Sequence, residues 1–225
     1  LPVIAARVAV SCDFDDTVIL DNLSTALFRR FGRGWGGALA DYRAGRIPVE
    51  EWNARALWTV RATPEEVERF ARERARVRPG FLEFVRLCRE EGVPLVINSS
   101  GLDLYIRPVL GSLGLADLPL CCGRVDLTDA GFRLRYFDPA GAPLTRESKA
   151  AAVAWLKRSC GRVLHIGDGR SDEPAADLAD FVFARGSLLA YCRSRNLPHA
   201  PFEDFYEVAD RVRALGLFRE GGGGP

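Results

Sequence analysis

Short apolar runs alternate along the chain with longer amphipathic stretches, and this alternation predicts the elements of the fold. Apolar runs of strand length cover 8–12, 93–97, 162–166 and 181–184. Runs that are apolar nearly throughout, rather than at every second position, are typical of parallel strands buried on both faces. We therefore predict an α/β fold in which helices cover a doubly wound parallel sheet of the Rossmann type.

One stretch, residues 20–78, carries helical signals and no strand pattern. Asn22 or Asp21 can cap its first helix. Pro48 is expected at the first position of a second helix, and the segment 63–66 fits a capping box at the start of a third. The predicted division is a small helical insert at 20–78, a core formed by 1–19 and 79–225, and a flexible glycine-rich tail at 221–225.

The rest of the chain returns to alternating strands and helices. Asp129–Gly131 is a turn signal between two alternating segments, which predicts a β-hairpin. We predict that Asn98–Gly101 forms a turn after a buried strand and that Pro198–His199 lies in a loop. The helices are predicted at 81–91, 103–113, 145–158, 187–195 and 204–216.

Composition and charge narrow the class of protein. The chain has 225 residues and a net charge of +1, and no apolar run reaches the length of a membrane span. We therefore expect a globular protein without a nucleic-acid or membrane partner, as a monomer or homodimer. The N-terminal residues lack the charge pattern of a signal peptide. The six cysteines show no framework spacing and the two histidines make a zinc site improbable, so a cytoplasmic location is expected.

Reactive side chains follow three of the predicted strands. Asp13 and Asp15 stand two apart, so an extended chain places them on one face. Ser99 follows a second strand, and Asp168 with Asp172 follows a third. Because chemistry in an open α/β sheet collects beyond the carboxyl ends of its strands, we expect these groups near one crevice. Carboxylates this close need a cation, and Mg²⁺ with its oxygen ligands fits.

Each of these features also has an ordinary structural explanation. The acidic residues after the first strand can form a simple turn, and so can Ser99–Gly101. Lys149, on the helix before the third strand, can be a solvated surface lysine. Their joint occurrence in one α/β chain favours a phosphate-processing site, which needs a nucleophile, an acid/base group, a metal and a fixed cation.

Together, Asp13–Thr17, Ser99, Lys149 and Gly167–Asp172 resemble the four motifs of the haloacid dehalogenase superfamily. The helical insert resembles the C1 cap of its phosphoserine-phosphatase-like branch. This resemblance implies a Mg²⁺-dependent phosphatase that acts on a small phosphorylated metabolite through an aspartyl-phosphate intermediate.

The resemblance also implies a role for each motif residue. Asp13 would be the nucleophile, Asp15 the general acid and then the base, and Lys149 the cation that neutralises the nucleophile and the phosphate. Mg²⁺ would be held by Asp13, Asp168 and the backbone carbonyl of Asp15, with Asp172 nearby. The substrate-binding and phosphate-binding residues expected on this basis are Thr17, Asn22, Ser99, Ser100 and Gly101.

Three segments, Ser99–Tyr105, Phe183–Arg185 and Asn196–Glu207, are similar to the methionine-salvage phosphatases of this superfamily. That similarity implies 2-hydroxy-3-keto-5-methylthiopentenyl-1-phosphate, or a related keto or sugar phosphate, as substrate. Phosphoserine is the alternative, but phosphoserine phosphatases carry a Glu where this chain has Asn22. Ser100 stands where the superfamily usually has a glycine.

Two other functions would use the same residues. A non-catalytic binding protein would keep the fold, but the complete set of motif residues argues against it. Dehalogenation would use the same nucleophile on carbon without Mg²⁺, and Asp15 argues against that chemistry.

The helical insert contains three tryptophans, Trp35, Trp52 and Trp58. They can pack a substrate tail or form the core of the insert itself.

Overall fold

A computed structural model describes residues 6–218, and its strands form one eight-stranded sheet. The strands are β1 (Ala6–Cys12), β2 (Leu95–Leu102), β3 (Leu120–Thr128), β4 (Gly131–Phe137), β5 (Pro143–Leu144), β6 (Cys160–Gly167), β7 (Phe181–Ala184) and β8 (His199–Pro201). Their order across the sheet is β5-β4-β3-β2-β1-β6-β7-β8. The pairs are parallel from β3 to β8, and β3–β4 and β4–β5 are antiparallel.

Helices connect the parallel strands and cover the sheet. They are α1 (Leu23–Phe31), α2 (Gly36–Arg43), α3 (Val49–Leu57), α4 (Pro64–Arg74), α5 (Phe81–Glu90), α6 (Asp103–Ser112), α7 (Ser148–Ser159), α8 (Glu173–Ala176), α9 (Gly186–Arg195) and α10 (Phe205–Ala214). The predicted doubly wound α/β fold is confirmed.

The first strand, β1, lies at the centre of the sheet. Val10 pairs with Leu95 of β2 on one side and with Leu164 of β6 on the other. All three side chains are buried, as expected for a strand covered on both faces. Because the chain order reverses direction across the sheet at β1, the crevice beyond its carboxyl end is the place where a ligand binds in such folds.

Two local predictions were wrong. Asn98–Gly101 is not a turn, because β2 continues through it to pair Leu102 with Gly123 after an irregularity in register. His199 does not lie in a loop, because its backbone pairs with Val182 of β7 and forms the edge strand β8, a pairing that leaves no side-chain pattern. The predicted hairpin forms between β3 and β4, and the first half of β3 pairs with β2.

Helix starts differ slightly from the sequence-based expectation. Pro48 is the N-cap of α3 rather than its first helical residue. Asn22 caps α1 with its side chain, and Thr63 with Glu66 forms the predicted capping box of α4. A further helix, α2, begins at Gly36, within the glycine-rich segment 32–37.

The segment 20–78 contains α1–α4, and its two ends lie side by side. The Leu20 N–H donates to the Arg76 carbonyl at 2.8 Å, and the Arg78 N–H donates to the Val18 carbonyl at 2.8 Å. The two ends of a segment inserted into the core must lie close together in this way, because the chain leaves and re-enters the core at neighbouring positions. The boundaries of separate core and cap domains stay a prediction, and the predicted tail at 221–225 lies outside the described residues.

Two of the three tryptophans in this segment contribute to its packing. The ring of Trp52 meets that of Phe28 edge-on at 5.4 Å between centroids and that of Trp35 at 5.8 Å. Trp58 is 53% exposed and takes no part in this group. Within 6–218, no helix is both long and apolar enough to cross a membrane.

Candidate active site

The predicted motif residues converge at the carboxyl ends of β1, β2 and β6. Asp13 follows β1, Ser99 lies near the end of β2, and Asp168 follows β6. The Asp13 N–H donates to the Ile166 carbonyl at 2.9 Å, which ties the end of β1 to β6. These residues line a cavity of about 260 Å³ between the sheet and the helices α1–α3.

A buried lysine bridges two of the carboxylates. The Nζ atom of Lys149 lies 2.7 Å from Oδ1 of Asp13 and 2.6 Å from Oδ1 of Asp172. Lys149 is 2% exposed, so the solvated surface lysine considered from sequence is excluded. Burial alone would lower the pKa of Lys149, but attraction to the two carboxylates outweighs it and raises the pKa. The lysine is therefore a fixed positive charge beside Asp13.

The acidic groups still outnumber the cation. Side-chain oxygens of Asp13, Asp168 and Asp172 lie within 4.8 Å of one another. Burial and the charges of Asp13 and Asp172 raise the pKa of Asp168 to about 9. Burial, opposed by Lys149, raises the pKa of Asp13 to about 6. Three carboxylates around one ammonium lack positive charge, and such oxygen donors fit Mg²⁺.

Asp172 shapes the loop that carries Asp168. Its Oδ2 accepts hydrogen bonds from the backbone N–H groups of Asp168 at 3.3 Å and Gly169 at 3.1 Å. Burial alone would raise the pKa of Asp172, but Lys149 and then His165 lower it below the usual range. A permanently ionised Asp172 thus orients both the loop and Lys149.

Asp15 occupies a different environment from Asp13. Its Oδ1 accepts a hydrogen bond from the Leu23 N–H at 2.7 Å, at the start of α1, and its Oδ2 accepts a short one from the Tyr105 hydroxyl. Burial raises the pKa of Asp15 to about 7, although the Tyr105 hydrogen bond opposes this shift. Among the described residues, the carboxylate cluster does not include the Asp15 side chain, so metal binding by Asp15 stays a prediction for its backbone carbonyl.

Gly101 makes room for the contact between Asp15 and Tyr105. A Cβ atom at position 101 would lie 2.0 Å from the Tyr105 hydroxyl and 2.9 Å from Oδ2 of Asp15. Both contacts are far too short for a real Cβ atom, and both neighbours are held in place by hydrogen bonds. The glycine is therefore required by a close approach.

The Ser99–Gly101 backbone is held by contacts on both sides. The Gly101 N–H donates to Oγ of Ser99 at 2.9 Å. The Ser100 carbonyl accepts hydrogen bonds from Nδ2 of Asn53 at 2.7 Å and from the Tyr136 hydroxyl at 2.6 Å. Among the described side chains, the Ser100 hydroxyl is buried without a protein partner, and Ser100 lines the cavity. Phosphate binding by Ser99, Ser100 and Gly101 stays a prediction.

Two of the predicted binding residues have structural contacts of their own. The Thr17 hydroxyl is fully buried and lies 3.3 Å from oxygens of Asp13 and Asp168, to which it can donate. Asn22 lines the cavity, but its Nδ2 donates to Asp16 at 2.9 Å and its Oδ1 accepts from the Thr25 N–H. Substrate contacts by Thr17 and Asn22 stay predictions.

Two arginines, the buried Arg78 and the partly buried Arg185, hold the backbone between Asp15 and α1. Arg78 donates to the carbonyls of Thr17 at 2.7 Å and Asp16 at 2.6 Å, and Arg185 donates to the same Asp16 carbonyl at 2.9 Å. Asp16 has a φ of 60°, a left-handed conformation that needs such support in a residue other than glycine. From sequence, the arginine-rich segment 69–78 is expected to be a solvated helix face, which is wrong for Arg78, because it follows the end of α4 and is buried against these carbonyls. No role was predicted for Arg185.

Sequence reasoning also missed the contacts that helices α2 and α3 make with the motif loops. Glu50 accepts hydrogen bonds from the N–H and hydroxyl of Ser148 at 2.9 and 2.8 Å, directly before Lys149. Arg170, beside Asp168, donates to the carbonyl of Tyr42 at 3.3 Å. These partners are far apart in the sequence, and no local pattern relates them.

The wall of the cavity opposite the sheet combines apolar and polar side chains. Its apolar part is formed by Leu39, Tyr42, Val49 and Trp52, and its polar part by Asn22, Ser24, Thr25, Arg43 and Asn53. The carboxylates that line this cavity come from the loops after β1 and β6, and the described residues of α1–α3 contribute none. The cavity thus has an acidic floor and a wall without negative charge.

Comparison with known proteins places this site in a family. The haloacid dehalogenase-like hydrolase family model matches residues 10–177. The 2-hydroxy-3-keto-5-methylthiopentenyl-1-phosphate phosphatase of Geobacillus thermodenitrificans is 31% identical over 215 residues, which cover 93% of this chain and 97% of that protein. The enzyme of the same name from Brevibacillus brevis is 28% identical over 90% of this chain and 93% of that protein.

Solved structures share the fold at low sequence identity. Phosphoserine phosphatase from T. onnurineus superposes with a TM-score of 0.67 at 20% identity, covering 94% of this chain and 96% of that one. A phospho-aspartyl intermediate analogue of phosphoserine phosphatase gives a TM-score of 0.68 at 15% identity, covering 92% and 99%. The family match spans most of the chain and includes every motif of the site, and the chain belongs to the haloacid dehalogenase-like hydrolases.

Proposed function

We propose that this hydrolase is a Mg²⁺-dependent phosphomonoesterase that works through an aspartyl-phosphate on Asp13. The observation that carries the proposal is the environment of Asp13, a buried carboxylate at the cavity floor beside the fixed ammonium of Lys149 at 2.7 Å. Asp15, two residues on, has a pKa raised to about 7, which suits proton transfer near neutral pH. The proposed nucleophile Asp13 and the proposed acid/base group Asp15 are thus close together, but their surroundings give the two carboxyl groups different properties.

In the first step, a carboxylate oxygen of Asp13 attacks phosphorus and the bond from phosphorus to the ester oxygen breaks. The proton of Asp15 goes to the leaving oxygen, which departs as an alcohol. In the second step, Asp15 takes a proton from water as the water oxygen attacks phosphorus. Inorganic phosphate leaves and the Asp13 carboxylate is restored. Lys149 stabilises the negative charge on the phosphoryl oxygens in both steps.

The residues of the site fit the metal that this chemistry uses. Asp13, Asp168 and the Asp15 carbonyl would hold Mg²⁺, with Asp172 keeping the Asp168 loop in shape. Bound Mg²⁺ would neutralise phosphate charge and orient the phosphoryl group. The excess of carboxylates over cations, which raises the pKa of Asp168 to about 9, supports this assignment.

We propose 2-hydroxy-3-keto-5-methylthiopentenyl-1-phosphate, or a similar keto or sugar phosphate, as the substrate. Relatives with that name cover nearly the whole chain. The apolar part of the wall, formed by Leu39, Val49 and Trp52, suits the apolar portion of such a chain. Phosphoserine carries an ammonium group, and α1–α3 offer no carboxylate in the cavity to pair with it.

Steady-state kinetics on the two substrates tests this choice. The ratio of kcat/KM for the methylthiopentenyl phosphate to kcat/KM for phosphoserine is expected to exceed about 10, or about 1.4 kcal/mol of transition-state discrimination. A tenfold preference for phosphoserine would overturn the substrate assignment and leave the phosphatase chemistry intact. No phosphate release from either ester or from aryl phosphates would favour the non-catalytic alternative.

A further inference from the structure

Three polar side chains lie in the middle of three neighbouring strands, directly below the carboxylate cluster. They are Ser11 of β1, Asn98 of β2 and His165 of β6, and each is at most 1% exposed. Ser11 and His165 are opposite each other in the β1–β6 register. Parallel strands buried on both faces are normally apolar at such positions. Three buried polar groups in contact therefore call for a physical explanation.

The hydrogen bonds between them run in one direction. Nδ2 of Asn98 lies 3.0 Å from the Lys149 carbonyl, which can only accept, so this atom must be the amide nitrogen. The same nitrogen donates to Oγ of Ser11 at 2.9 Å. The Ser11 hydroxyl then has its own proton to give to Nδ1 of His165, 3.1 Å away. An Nδ1 atom that accepts leaves the proton of the neutral ring on Nε2.

The protonated end of the ring points at the cluster. Nε2 of His165 lies 3.0 Å from Oδ1 of Asp172, the oxygen that also accepts from Lys149. The other oxygen of Asp172 holds the backbone of Asp168 and Gly169. The chain of hydrogen bonds that starts at Asn98 thus ends on the side chain that orients the loop and the lysine.

We propose that His165, with its tautomer fixed by Ser11, is a positioning residue that holds Asp172 in the orientation needed by Lys149 and the Asp168 loop. This inference rests on the proposed phosphatase function. His165 does not line the cavity, and its Nε2 contacts Asp172, through which it would act on the site. A partner that orients a neighbouring active-site group in this way typically contributes about 10- to 100-fold in activity.

Ser11, His165 and Asp172 are of the same three residue types as the catalytic triad of serine hydrolases, but the geometry here serves another purpose. Ser11 is fully buried in the central strand β1 and does not line the cavity, so its hydroxyl cannot reach a substrate. Its hydroxyl is also occupied as a donor to His165 and an acceptor from Asn98. The network is a support for the carboxylate cluster.

The tautomer can be measured on the unsubstituted protein. The chain has two histidines, so long-range ¹H–¹⁵N spectra contain two imidazole patterns, and a His199→Gln variant identifies the one that belongs to His165. We expect the proton on Nε2 and an Nδ1 atom that accepts from the Ser11 hydroxyl. A ring protonated on Nδ1, or on both nitrogens, would overturn the proposal, and this result does not depend on enzymatic activity.

Kinetics on two variants of the full chain tests the positioning itself. With p-nitrophenyl phosphate and saturating Mg²⁺, His165→Leu is expected to lower kcat about tenfold while KM changes less than about twofold. His165→Gln can place an amide N–H near Asp172 and should restore most of the loss. Equal kcat values for the two variants, or an unchanged kcat in folded His165→Leu, would contradict the proposal. An inactive wild-type protein would instead refute the proposed function.

Discussion

Asp15 shows how its surroundings can adapt one carboxyl group to proton transfer. Its oxygens are occupied by the Leu23 N–H and the Tyr105 hydroxyl, and burial raises its pKa to about 7. Asp13, two residues earlier, lies against Lys149, an environment that suits its proposed role as the nucleophile. The two proposed roles differ because the two environments differ, since the residue type is the same.

The raised pKa of Asp15 predicts a pH dependence that differs between substrates. Below about pH 7, Asp15 is protonated and can donate to a poor alkoxide leaving group, so kcat/KM for an alkyl phosphate should fall as pH rises above 7. p-Nitrophenyl phosphate needs no such proton, and its kcat/KM should fall much less over the same range. An identical decline for the two esters would remove the general-acid role from Asp15.

At the scale of secondary-structure elements, one buried carboxylate links helix α3 to helix α7. Glu50 is 4% exposed, and its Oε1 accepts both hydrogen bonds from Ser148 at the start of α7. A negative charge at a helix N-terminus is stabilised by the helix dipole. Since Lys149 is the next residue, this contact fixes the helix end that carries Lys149.

Two neighbouring glutamates of α3 provide a matched comparison of stability. Glu50→Ala leaves the Ser148 N–H buried without a partner and should lower the free energy of unfolding by about 1–3 kcal/mol. Glu51→Ala removes only a surface ion pair with Arg55, which is worth about 0.5 kcal/mol or less. Urea denaturation of both variants measures the difference. An equal decrease in the free energy of unfolding for the two variants would show that the hydrogen bonds of Glu50 stabilise the fold no more than the surface ion pair of Glu51 does.

Elements were more predictable from the sequence than the contacts between them. The central strands β1, β6 and β7 were recognised because burial on both faces leaves an apolar run. The motif residues were recognised because their chemistry and spacing are unusual. β8 was missed, since an edge strand can form through backbone pairing alone.

The supporting contacts of the site leave no signal in the sequence. Glu50 and Ser148, or Asn53 and the Ser100 carbonyl, are neighbours only after folding. His165 illustrates the same limit, because an isolated histidine in an apolar run does not reveal its partners Ser11 and Asp172. Such pairings follow from the three-dimensional packing of strands and helices that are distant in the chain.

At the scale of the whole molecule, the carboxylate cluster links stability to pH and to Mg²⁺. In the metal-free protein, Asp13, Asp15 and Asp168 have pKa values raised to about 6, 7 and 9. The folded state therefore binds protons more tightly than the unfolded chain at these groups. The stability contributed by this binding is complete below about pH 4 and is lost as pH rises through the folded pKa values.

At the proposed metal site, Mg²⁺ would compete with the protons of Asp13 and Asp168, so its stabilising effect should grow with pH. At about 100 times its Kd, Mg²⁺ is expected to raise Tm by about 5–10 °C at pH 8, and by clearly less at pH 5.5. Thermal unfolding with Mg²⁺ and with a chelator measures both shifts. Asp168→Asn should reduce the shift at pH 8. A Tm shift that is equal at both pH values would contradict the metal assignment to this cluster.

The central claim is that Asp13 carries the phosphoryl group during turnover, and mass spectrometry of acid-quenched protein tests it most directly. The full chain is mixed with substrate and Mg²⁺, quenched within the first turnovers and digested. The account predicts one added phosphoryl group on the peptide that contains Asp13, and none in an Asp13→Asn variant, which should also release no phosphate. Steady turnover with an unmodified Asp13 peptide, or with the phosphoryl group on another residue, would contradict the account.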